Sequence, residues 1–403
     1  MLGTTQQFII IGGGQAGAWI ARTLRAEGFT GRLLIIGEER HWPYERPPLS
    51  KSVLLGGGPD DEGIILSEPQ AARLGVEIWL GQCVTAIDRA RHLAVCSDGR
   101  TVAYDKLFLA TGSRPRLLPQ AEELDHRLVH YLRTRDDAHR LKATLIPGQR
   151  LAVVGGGWIG LEVAASAAQL GVQVTVLEAA PRVCARSVPE AVSLYLQQLH
   201  AQHGVQIRLS SAVHVLRGKD SGVAIELEDG NSLDADQILV GIGVLPNTEL
   251  AKANGLDTDN GVVVDSAGRT SDPDIFAAGD VTAHFNRFSG RRIRLESWAN
   301  AQSQGVIAAQ AALGKAVYYD EVPWLWSDQF GVNLQIVGFP AQAATILRRG
   351  APEAGSGCWL MLDKAKSAIG AIAVNAPREL RALRKTLQMR SAIDLGAWTL
   401  DSV

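Results

Sequence analysis

Two glycine-rich loops, at residues 12–17 and 155–160, constrain the fold of this 403-residue chain more than any other feature. Each loop follows a short apolar run rich in β-branched residues and precedes a stretch with the composition of a helix. A strand, a G-x-G-x-x-G turn and a helix in this order are typical of a βαβ unit that binds a dinucleotide. One such loop alone could be a tight turn in any α/β sheet, but two complete copies predict two dinucleotide sites.

The glycines of each loop suit different tasks. The first permits a tight turn, the second lets the backbone approach a pyrophosphate, and the third lets the helix pack closely on the strand. The free N–H groups at the start of the helix would then face the phosphates. The expected contacts are Gly12, Gly14 and Gly17 in the first loop and Gly155, Gly157, Ile159 and Gly160 in the second loop.

An acidic residue follows each loop by about 20 positions, as the dinucleotide pattern requires. Glu38 closes the second apolar run of the first unit, and Glu178 closes that of the second unit. Each carboxylate is expected to accept hydrogen bonds from a ribose diol. A carboxylate at position 178 would repel a 2′-phosphate, so the second site is expected to prefer NADH to NADPH. Arg182 lies close enough in sequence to soften this preference.

Composition excludes several other classes of protein. Lys and Arg total 40 against 42 Asp and Glu, so no net positive charge draws the chain to nucleic acid. The four cysteines form no C-x-x-C pair, which excludes a disulfide scaffold, and no metal site is expected. Residues 1–7 lack the basic residues of a secretory signal, and polar residues interrupt the apolar stretch at 163–177. A cytoplasmic protein without a membrane partner is therefore expected.

Three further segments resemble those of flavoproteins with two dinucleotide sites, the pyridine nucleotide-disulfide oxidoreductases. Residues 109–115 contain Thr111 and Gly112 in a short strand and turn that such proteins share. Residues 241–247, with Gly243, are similar to their second segment of this kind, where the chain returns to the flavin domain. Residues 270–280 are similar to the segment whose final Asp, here Asp280, holds the ribityl chain of FAD in the family.

Two more motifs narrow the resemblance to NADH-dependent ferredoxin reductases, which supply electrons to Rieske-type oxygenases and bacterial cytochromes P450. They are Arg-Pro-Pro-Leu-Ser-Lys at residues 46–51 and Trp-Leu-Trp-Ser-Asp-Gln at residues 324–329. The resemblance implies FAD and NADH as cofactors and a small acidic iron–sulfur ferredoxin as the partner. It also implies an α/β fold with two Rossmann-like, glutathione-reductase-like domains and a C-terminal α+β domain. By the same matching, the contacts of FAD are Ala16, Glu38, Arg46, Lys51, Val84, Thr111, Gly112, Arg133, Asp280 and Trp298.

Several of these side chains also have an ordinary structural interpretation. Lys51 could be a solvated loop lysine, but the two prolines before it stiffen the loop and would aim the side chain. Asp280 could be a turn or capping residue, and Trp298, Trp324 and Trp326 could be aromatic core residues. We expect Lys51, Asp280 and Trp298 to contact the flavin, and the roles of the other two tryptophans stay open.

The cysteine positions predict electron transfer without a cysteine intermediate. Disulfide reductases of this architecture keep a close cysteine pair beside the flavin, and their oxidase and peroxidase relatives keep one reactive cysteine. Residues 41–51 of this chain contain none. Cys83 and Cys96 fall in a predicted β segment and are expected to be buried apolar residues. Hydride is therefore expected to pass from NADH to FAD, and single electrons from FAD directly to the ferredoxin.

Glu162 lies two residues after the second loop, near the start of the predicted helix. By resemblance it is catalytic together with Lys51, and it orients either the nicotinamide or the lysine side chain. The alternative is an ordinary acidic residue favoured by the helix dipole. Another helix is predicted to begin near Ser297 and to run through Leu313, and its N-terminus is expected to stabilise the reduced flavin.

The order of the motifs predicts a discontinuous FAD domain at residues 1–115 and 247–322, an NAD domain at 116–246 and a C-terminal domain at 323–403. Residues 332–337 and 359–362 are expected to be alternating strands of the last domain. Two basic clusters are candidate docking surfaces for the ferredoxin, although the second could be a solvated helix face. The clusters are Arg287, Arg291, Arg292 and Arg294, and then Arg378, Arg381, Arg384, Lys385 and Arg390.

Two rival functions remain on the same scaffold. The chain could reduce rubredoxin, a quinone or another small acceptor in place of a ferredoxin. It could also be a non-catalytic flavoprotein of the apoptosis-inducing-factor kind, but such proteins tend to carry long basic or targeting extensions. Only 11 residues precede the first loop, so we do not favour that class. Neither a heptad repeat nor an apolar strip chooses between a monomer and a homodimer.

Overall fold

The computed structural model describes residues 6–57, 63–396 and 398–400. The chain divides into two compact units. The first unit comprises Met1–Arg46, Pro59–Arg114 and Leu245–Glu321, and the second comprises Pro47–Gly58, Pro115–Val244 and Val322–Val403. The finer division into domains that end at residues 115, 246 and 322 stays a prediction.

The described residues form nine α-helices and 27 β-strands. The helices are α1 (Gln15–Ala26), α2 (Ser52–Leu55), α3 (Glu68–Leu74), α4 (Arg135–Lys142), α5 (Trp158–Gln169), α6 (Glu190–Gln202), α7 (Glu249–Ala253), α8 (Trp298–Ala312) and α9 (Pro377–Met389). The first strands are β1 (Gln7–Ile11), β2 (Arg32–Gly37), β3 (Glu77–Leu80), β4 (Val84–Asp88), β5 (Leu93–Cys96), β6 (Thr101–Ala103), β7 (Lys106–Leu109), β8 (Ser113–Pro115), β9 (Val129–His130), β10 (Arg150–Val154), β11 (Gln173–Leu177), β12 (Gln206–Arg208), β13 (Val213–Gly218) and β14 (Val223–Leu227). The others are β15 (Ser232–Ala235), β16 (Gln237–Val240), β17 (Val244–Pro246), β18 (Val262–Val264), β19 (Ile275–Ala277), β20 (Thr282–Asn286), β21 (Arg291–Ile293), β22 (Trp324–Gln329), β23 (Val332–Gly338), β24 (Thr345–Ala351), β25 (Ser356–Leu362), β26 (Ala368–Val374) and β27 (Thr399–Leu400).

The first unit is built on a five-stranded parallel sheet in the order β19-β7-β1-β2-β3. Successive residues of a strand face opposite sides of the sheet, so β1 contributes to two cores. Phe8 and Ile10 pack in one core, and Ile9 and Ile11 pack in the other. Each fully buried side chain of this kind contributes about 1.5–3 kcal/mol to stability. Both faces of the sheet are therefore covered, which fixes the position of the loop that follows β1.

The second unit repeats this arrangement in a parallel sheet of order β12-β11-β10-β16-β9. In both sheets the central strand leads into a glycine loop and a 12-residue helix. Each unit also contains a three-stranded antiparallel sheet: β4-β5-β6 comes after β3 in sequence, and β13-β14-β15 comes after β12. The repeat predicted from the two loops is thus confirmed, as is the α/β fold class.

The second unit also contains a six-stranded sheet, β22-β23-β26-β25-β24-β27, in which every pairing is antiparallel. The predicted helix at the C-terminal basic cluster is confirmed as α9, which buries Leu380, Leu383 and Leu387. Strands at 332–337 and 359–362 are also confirmed, but the alternation expected for 359–362 is wrong. All four residues are buried, so both faces of the sheet are covered at β25, and Tyr195 of α6 packs on Trp359. None of the helices in the described ranges has the length and hydrophobicity needed to cross a membrane.

Candidate functional site

The first loop needs two of its glycines for reasons internal to the protein. Gly12 has a φ of +116°, and a Cβ there would lie 2.1 Å from the Ala110 carbonyl oxygen. A Cβ on Gly17 would lie 2.0 Å from the Gly12 carbonyl oxygen. Gly14 is different, because its Cβ would meet only the Arg46 guanidinium, at 3.9 Å. The protein leaves open space at Gly14, where a bound pyrophosphate would need close access to the backbone.

The second loop has the same three environments. Gly155 has a φ of +107°, and its Cβ would lie 2.5 Å from the Gly241 carbonyl oxygen. A Cβ on Gly160 would lie 2.1 Å from the Gly155 carbonyl oxygen. A Cβ on Gly157 would meet only the Gly241 oxygen, at 4.0 Å. Both loops therefore leave the middle glycine open, as two dinucleotide sites require.

The helices that follow the loops begin without a side-chain cap. Gly14 and Gly157 are the N-cap residues of α1 and α5, so no side chain satisfies the first N–H groups. Neither helix has an acidic residue in its first turn. Uncapped N–H groups and the positive end of the helix dipole attract an anion. The pyrophosphates of FAD and NADH fit these two positions by donor chemistry as well as by space.

The two acidic residues that follow the loops are held differently. Glu38 lies exposed after β2 and forms no hydrogen bond or ion pair with any residue that the structure describes. Glu178 accepts hydrogen bonds from the backbone N–H groups of Gly156, at 2.6 Å, and Ala180, at 2.7 Å. A carboxylate has about four acceptor positions, so Glu178 keeps capacity for a ribose diol while it is fixed against the second loop.

Arg182 does not neutralise Glu178. Its guanidinium donates to the Val188 carbonyl at 2.6 Å, to the Ser193 hydroxyl at 3.0 Å and to the Ala185 carbonyl at 2.9 Å. These bonds hold the Arg182 guanidinium against the segment that leads into α6. The preference for NADH that Glu178 predicts is therefore not opposed by a direct Arg182 contact.

Several predicted FAD contacts lie around the first loop. Arg46 donates to Glu39 at 2.8 Å, and Tyr44 donates to the same carboxylate. Burial opposes the charge of Arg46, but Tyr44 and Glu39 outweigh it, so the pKa of this guanidinium is raised. With its amide oxygen turned toward them, Gln15 accepts from the indole N–H groups of Trp19 and Trp298, at 3.1 and 3.0 Å. The structure thus brings Arg46 and Trp298 to the first loop.

Asp280 lies on a segment that a buried network holds in place. Its carboxylate accepts from Ser113 at 3.0 Å. The preceding Gly279 N–H donates to the Gln304 amide oxygen at 2.9 Å, and the Gln304 amide nitrogen lies 3.1 Å from His284 Nδ1. Burial lowers the pKa of His284 to about 4, so this histidine is neutral and accepts at Nδ1. Gln304 and His284 lie outside the quoted motifs, and no sequence pattern predicted their contacts.

Thr111 and Gly112 connect the two ends of the inserted chain. The Thr111 hydroxyl donates to the Asn247 carbonyl at 2.9 Å, and the Asn247 amide donates to the Thr111 carbonyl at 2.8 Å. The Asn247 N–H also donates to the Gly112 carbonyl at 3.0 Å. In the second unit, the Gly243 carbonyl accepts from the Arg116 N–H at 2.9 Å. The two segments that the family resemblance singled out therefore have defined structural contacts as well as predicted cofactor contacts.

The helix predicted near Ser297 is confirmed. Helix α8 begins at Trp298, and the Ser297 hydroxyl caps it by accepting from the Asn300 N–H at 3.2 Å. No acidic residue lies in its first turn. The N-terminus of α8 thus retains the partial positive charge on which its expected effect on the flavin depends.

Lys51 and Glu162 meet in the second unit. The Lys51 ammonium lies 2.9 Å from Glu162 Oε2, and the Ser50 hydroxyl donates to the same oxygen at 2.5 Å. The Ser327 hydroxyl donates to Oε1 at 2.6 Å. Glu162 is only 4% exposed and receives hydrogen bonds from three donors, as a buried carboxylate needs. Glu162 also lies beyond the first turn of α5. Its contacts favour action on Lys51 over an ordinary acidic residue at the helix dipole, and the catalytic role of the pair stays a prediction.

Sequence reasoning missed Ser50 and Ser327 although both lie inside quoted motifs. Ser50 is the residue before Lys51, and Ser327 follows Trp326 in the motif at residues 324–329. The expectations for the second motif concerned its tryptophans and not its serine. Trp324 and Trp326 stack with ring centroids 5.3 Å apart, and Arg384 lies over the Trp324 ring at 5.1 Å.

For two predicted FAD contacts, the contacts described below neither support nor oppose a place at the cofactor. Val84 begins β4, is 6% exposed and packs in a core of the first unit. Arg133 belongs to the second unit and lies just before α4, where its N–H donates to Asp137 at 3.1 Å. Ile159, in the second loop, has an exposed side chain. Cofactor contact by these residues stays a prediction.

All four cysteines are free. The expectation that Cys83 is a buried strand residue is wrong: it is exposed, because it precedes β4 in the turn that follows β3. Cys96, Cys184 and Cys358 are buried, and burial raises the pKa of each thiol. None of the four forms a disulfide, and the three buried thiols are held in their neutral form. Within the described ranges, no group of three or more potential ligands is arranged to hold a metal ion.

The chain is similar to known oxidoreductases along almost its whole length. Residues 6–305 match the family model described as pyridine nucleotide-disulphide oxidoreductase, and residues 324–400 match the model described as reductase C-terminal. The ferredoxin–NAD(+) reductase component of the anthranilate 1,2-dioxygenase system of Burkholderia cepacia is 42% identical over 381 residues, 94% of this chain and 93% of that protein. The ferredoxin–NAD(+) reductase component of the p-cumate 2,3-dioxygenase system of Pseudomonas putida is 42% identical over 388 residues, 96% of this chain and 94% of that protein.

A solved structure is similar as well. The reductase in a covalent putidaredoxin reductase–putidaredoxin complex superimposes with a TM-score of 0.92 at 36% identity and covers 96% of this chain and 93% of that chain. These findings confirm the resemblance inferred from the motifs and the two expected cofactors, FAD and NADH. The chain is therefore an oxidoreductase, and it belongs to the pyridine nucleotide-disulphide oxidoreductase family.

Proposed function

We propose that this protein is the NADH-dependent reductase of a small acidic iron–sulfur ferredoxin that serves a Rieske-type oxygenase or a cytochrome P450. When bound, FAD and NADH supply the hydride and electron-transfer chemistry of the reaction. The observation that carries the proposal is the presence of two open glycine loops in a chain whose four cysteines form no disulfide. The names of the two relatives reported above support a ferredoxin as the acceptor.

The chain's own residues would bind and orient the two nucleotides. Gly14 and the start of α1 would hold the pyrophosphate of FAD, while Glu38 would bind its ribose and Asp280 its ribityl chain. Gly157 and Glu178 would hold NADH through the start of α5 and the fixed carboxylate. Positioning of this kind supplies much of the rate of a transfer reaction, because the reacting groups no longer need to find each other.

Helix α9 is the better of the two candidate docking surfaces. Arg378, Arg381 and Lys385 are exposed on one side of α9 and form no ion pair with any described residue. The other cluster is largely neutralised, because Arg287, Arg292 and Arg294 pair with acidic neighbours. Unpaired positive charge steers an acidic partner and is weakened by salt. We therefore assign ferredoxin docking to α9, in a cytoplasmic protein that is a monomer or a homodimer.

Steady-state turnover with purified acceptors tests the proposal. NADH oxidation would be followed with a Rieske-type ferredoxin, a P450-type ferredoxin, a rubredoxin and a soluble quinone at matched concentrations. The proposal expects a ferredoxin to give the highest kcat/KM. A quinone or rubredoxin that exceeds both ferredoxins by a wide margin would contradict it. A flavoprotein that binds NADH but reduces none of the four would favour a non-catalytic role.

A variant of α9 and a control variant test the proposed docking surface. The triple variant Arg378→Ala, Arg381→Ala, Lys385→Ala should raise KM for the ferredoxin and reduce its salt dependence, while NADH oxidation by ferricyanide is unchanged. Arg287→Ala, which removes an already paired charge, should leave KM nearly unchanged. Equal effects of the two changes would contradict the assignment to α9.

A further inference from the structure

A row of buried polar side chains extends from Glu162 to helix α6. Ser327, Gln329 and His200 are 0%, 3% and 0% exposed. The Gln329 amide nitrogen lies 2.9 Å from the Ser327 hydroxyl oxygen, and His200 Nε2 lies 2.8 Å from the Gln329 amide oxygen. Ser327 and Gln329 are two positions apart in β22, so they share one face of the strand. Buried hydrogen bonds therefore connect the carboxylate that holds Lys51 with His200 of α6.

The donors in this row all point toward Glu162. An ionised carboxylate only accepts hydrogen bonds, so the single hydroxyl proton of Ser327 is used on Glu162. The Ser327 oxygen must then accept from the amide nitrogen of Gln329, which turns the amide oxygen toward His200. That oxygen can only accept, so His200 must carry its proton on Nε2. The geometry thus fixes both the Gln329 amide orientation and the His200 tautomer.

Two observations on the His200 ring agree with this direction of the hydrogen bonds. Burial lowers its pKa, which favours the neutral ring. Its Nδ1 has no hydrogen-bond partner among the described residues, as expected for the unprotonated nitrogen of this tautomer. A chain of aligned hydrogen bonds is mutually polarising, so each donor adds to the stabilisation of the negative charge on Glu162.

The turn after β22 anchors the row to α6. Phe330 has a φ of +53° and Gly331 a φ of +76°, which is the two-residue turn that best matches the twist of paired strands. A positive φ is costly for a bulky residue. The Phe330 ring stacks on His203 with centroids 3.9 Å apart and meets His200 edge-on at 5.1 Å. These contacts hold the strained turn, and with it Gln329, against the helix.

We infer that Ser327, Gln329 and His200 form a relay of hydrogen bonds, polarised toward Glu162, that positions this carboxylate as the ionised partner of Lys51. The three are positioning residues, because their hydrogen bonds lead to Glu162, which in turn holds Lys51. The inference rests on the proposed function for its catalytic meaning, since it assigns residues that support the predicted Lys51–Glu162 pair. The relay itself is a property of the protein that can be measured without turnover.

The His200 tautomer is the most direct test. Nitrogen-15 NMR of the holoenzyme with labelled histidine, assigned by comparison with His200→Gln, should show a neutral ring protonated at Nε2 near pH 7. Gln329→Leu should remove the fixed preference for this tautomer. Gln335→Leu is the matched control, because Gln335 lies in the paired strand β23 and bonds Asn333 instead. A ring protonated at Nδ1, or a doubly protonated ring, would overturn the relay.

The reactivity of Lys51 tests whether the relay reaches the catalytic pair. Ser327→Ala removes the donor that fixes Glu162 Oε1, so the carboxylate can turn away from the ammonium. Acylation of Lys51 by an amine-directed reagent, followed by mass spectrometry, should then be about fivefold faster. Ser327→Thr keeps the hydroxyl and should restore slow acylation. Gln335→Leu should not change the rate. Equal acylation rates in wild type and Ser327→Ala, with both proteins folded by circular dichroism, would contradict the inference.

The two proposals can fail separately. A protein that shows the Nε2 tautomer and the acylation pattern but does not reduce a ferredoxin would retain the relay and lose the proposed function. A competent ferredoxin reductase with the other tautomer would retain the function and lose the relay.

Discussion

The two glycine loops follow one sequence pattern, yet the structure prepares them differently. Both leave the middle glycine open and begin an uncapped helix. In the second loop, Glu178 is already bonded to the Gly156 and Ala180 N–H groups, whereas Glu38 after the first loop is exposed and unbonded within the described chain. A fixed acid costs less entropy when a ligand binds. The sequence pattern thus predicts which group each loop contacts. It does not predict whether the acidic residue is already held in place before a nucleotide binds.

The helices after the loops differ at a second point. Two residues beyond the third glycine, α1 has Trp19 and α5 has Glu162. Trp19 donates to Gln15 of its own loop, and Glu162 instead binds Lys51 and Ser327. One helix position therefore stabilises its own loop in the first unit and anchors the predicted catalytic lysine in the second. Duplicated architecture has been used for two different tasks.

Glycine substitutions should give the largest effects and should separate folding from binding. Gly12→Ala and Gly155→Ala place a Cβ within 2.1 and 2.5 Å of a carbonyl oxygen at positive φ, so each should lose about 3 kcal/mol of stability or more. Gly14→Ala and Gly157→Ala should leave the thermal midpoint of the flavin-free protein within about 2 °C. Calorimetry of the four variants measures this.

Nucleotide binding should instead be impaired in the two stable variants, Gly14→Ala and Gly157→Ala. Gly14→Ala should lose FAD on gel filtration, and Gly157→Ala should keep FAD but raise Kd for NADH. If Gly14→Ala retained FAD as firmly as wild type, the open space at Gly14 would not be the pyrophosphate site.

Acid should destabilise each unit through a buried neutral histidine. The unfolded chain binds a proton near pH 6.5, but burial lowers the pKa of His284 to about 4 and also lowers that of His200. Stability is therefore full above pH 6.5 and falls as pH drops toward the folded pKa, by about 2 kcal/mol for His284 between pH 7.5 and pH 5. Hydrogen exchange at the two pH values, resolved by peptide, measures the loss in each unit.

Replacing one histidine at a time separates the acid loss of the two units. His284→Gln should reduce the acid loss in the first unit alone, and His200→Gln should reduce it in the second unit alone. An acid loss that neither variant changes would show that other groups control the pH dependence.

Removal of the two acidic residues should give the smallest effects and should distinguish the two loops. Glu178→Ala leaves the Gly156 and Ala180 N–H groups without their acceptor, so it should cost about 1–2 kcal/mol of stability and relax the preference for NADH. Glu38→Ala removes no described contact and should leave stability unchanged while it weakens FAD retention. Thermal unfolding and Kd values for NADH and NADPH measure both. An unchanged NADH/NADPH ratio in Glu178→Ala would refute the role of this residue.

Local features of the fold could be predicted because they are written in neighbouring residues. The strands and helices at both loops, and the cap at Ser297, each depend on a pattern within a few positions. The exposure of Cys83 was missed because a strand boundary of one residue decides it. The burial of β25 was missed because it depends on a distant helix, α6.

The surroundings of the predicted catalytic pair could not be predicted for the same reason. Glu162 is 112 positions from Ser50 and 165 from Ser327. No periodicity in one sequence shows that such residues meet. The family resemblance named Lys51 and Glu162, but the contacts among Ser327, Gln329 and His200 emerge only from the folding of β22 against α5 and α6.

Anaerobic titration with NADH, followed by visible spectroscopy, tests the central claim that the two loops bind two different nucleotides. We expect a yellow protein whose flavin absorbance is bleached by stoichiometric NADH and far less readily by NADPH. We also expect that Gly157→Ala remains yellow but needs much more NADH for the same bleaching. A colourless polypeptide that takes up no flavin, or a flavin that NADH does not reduce, would contradict it.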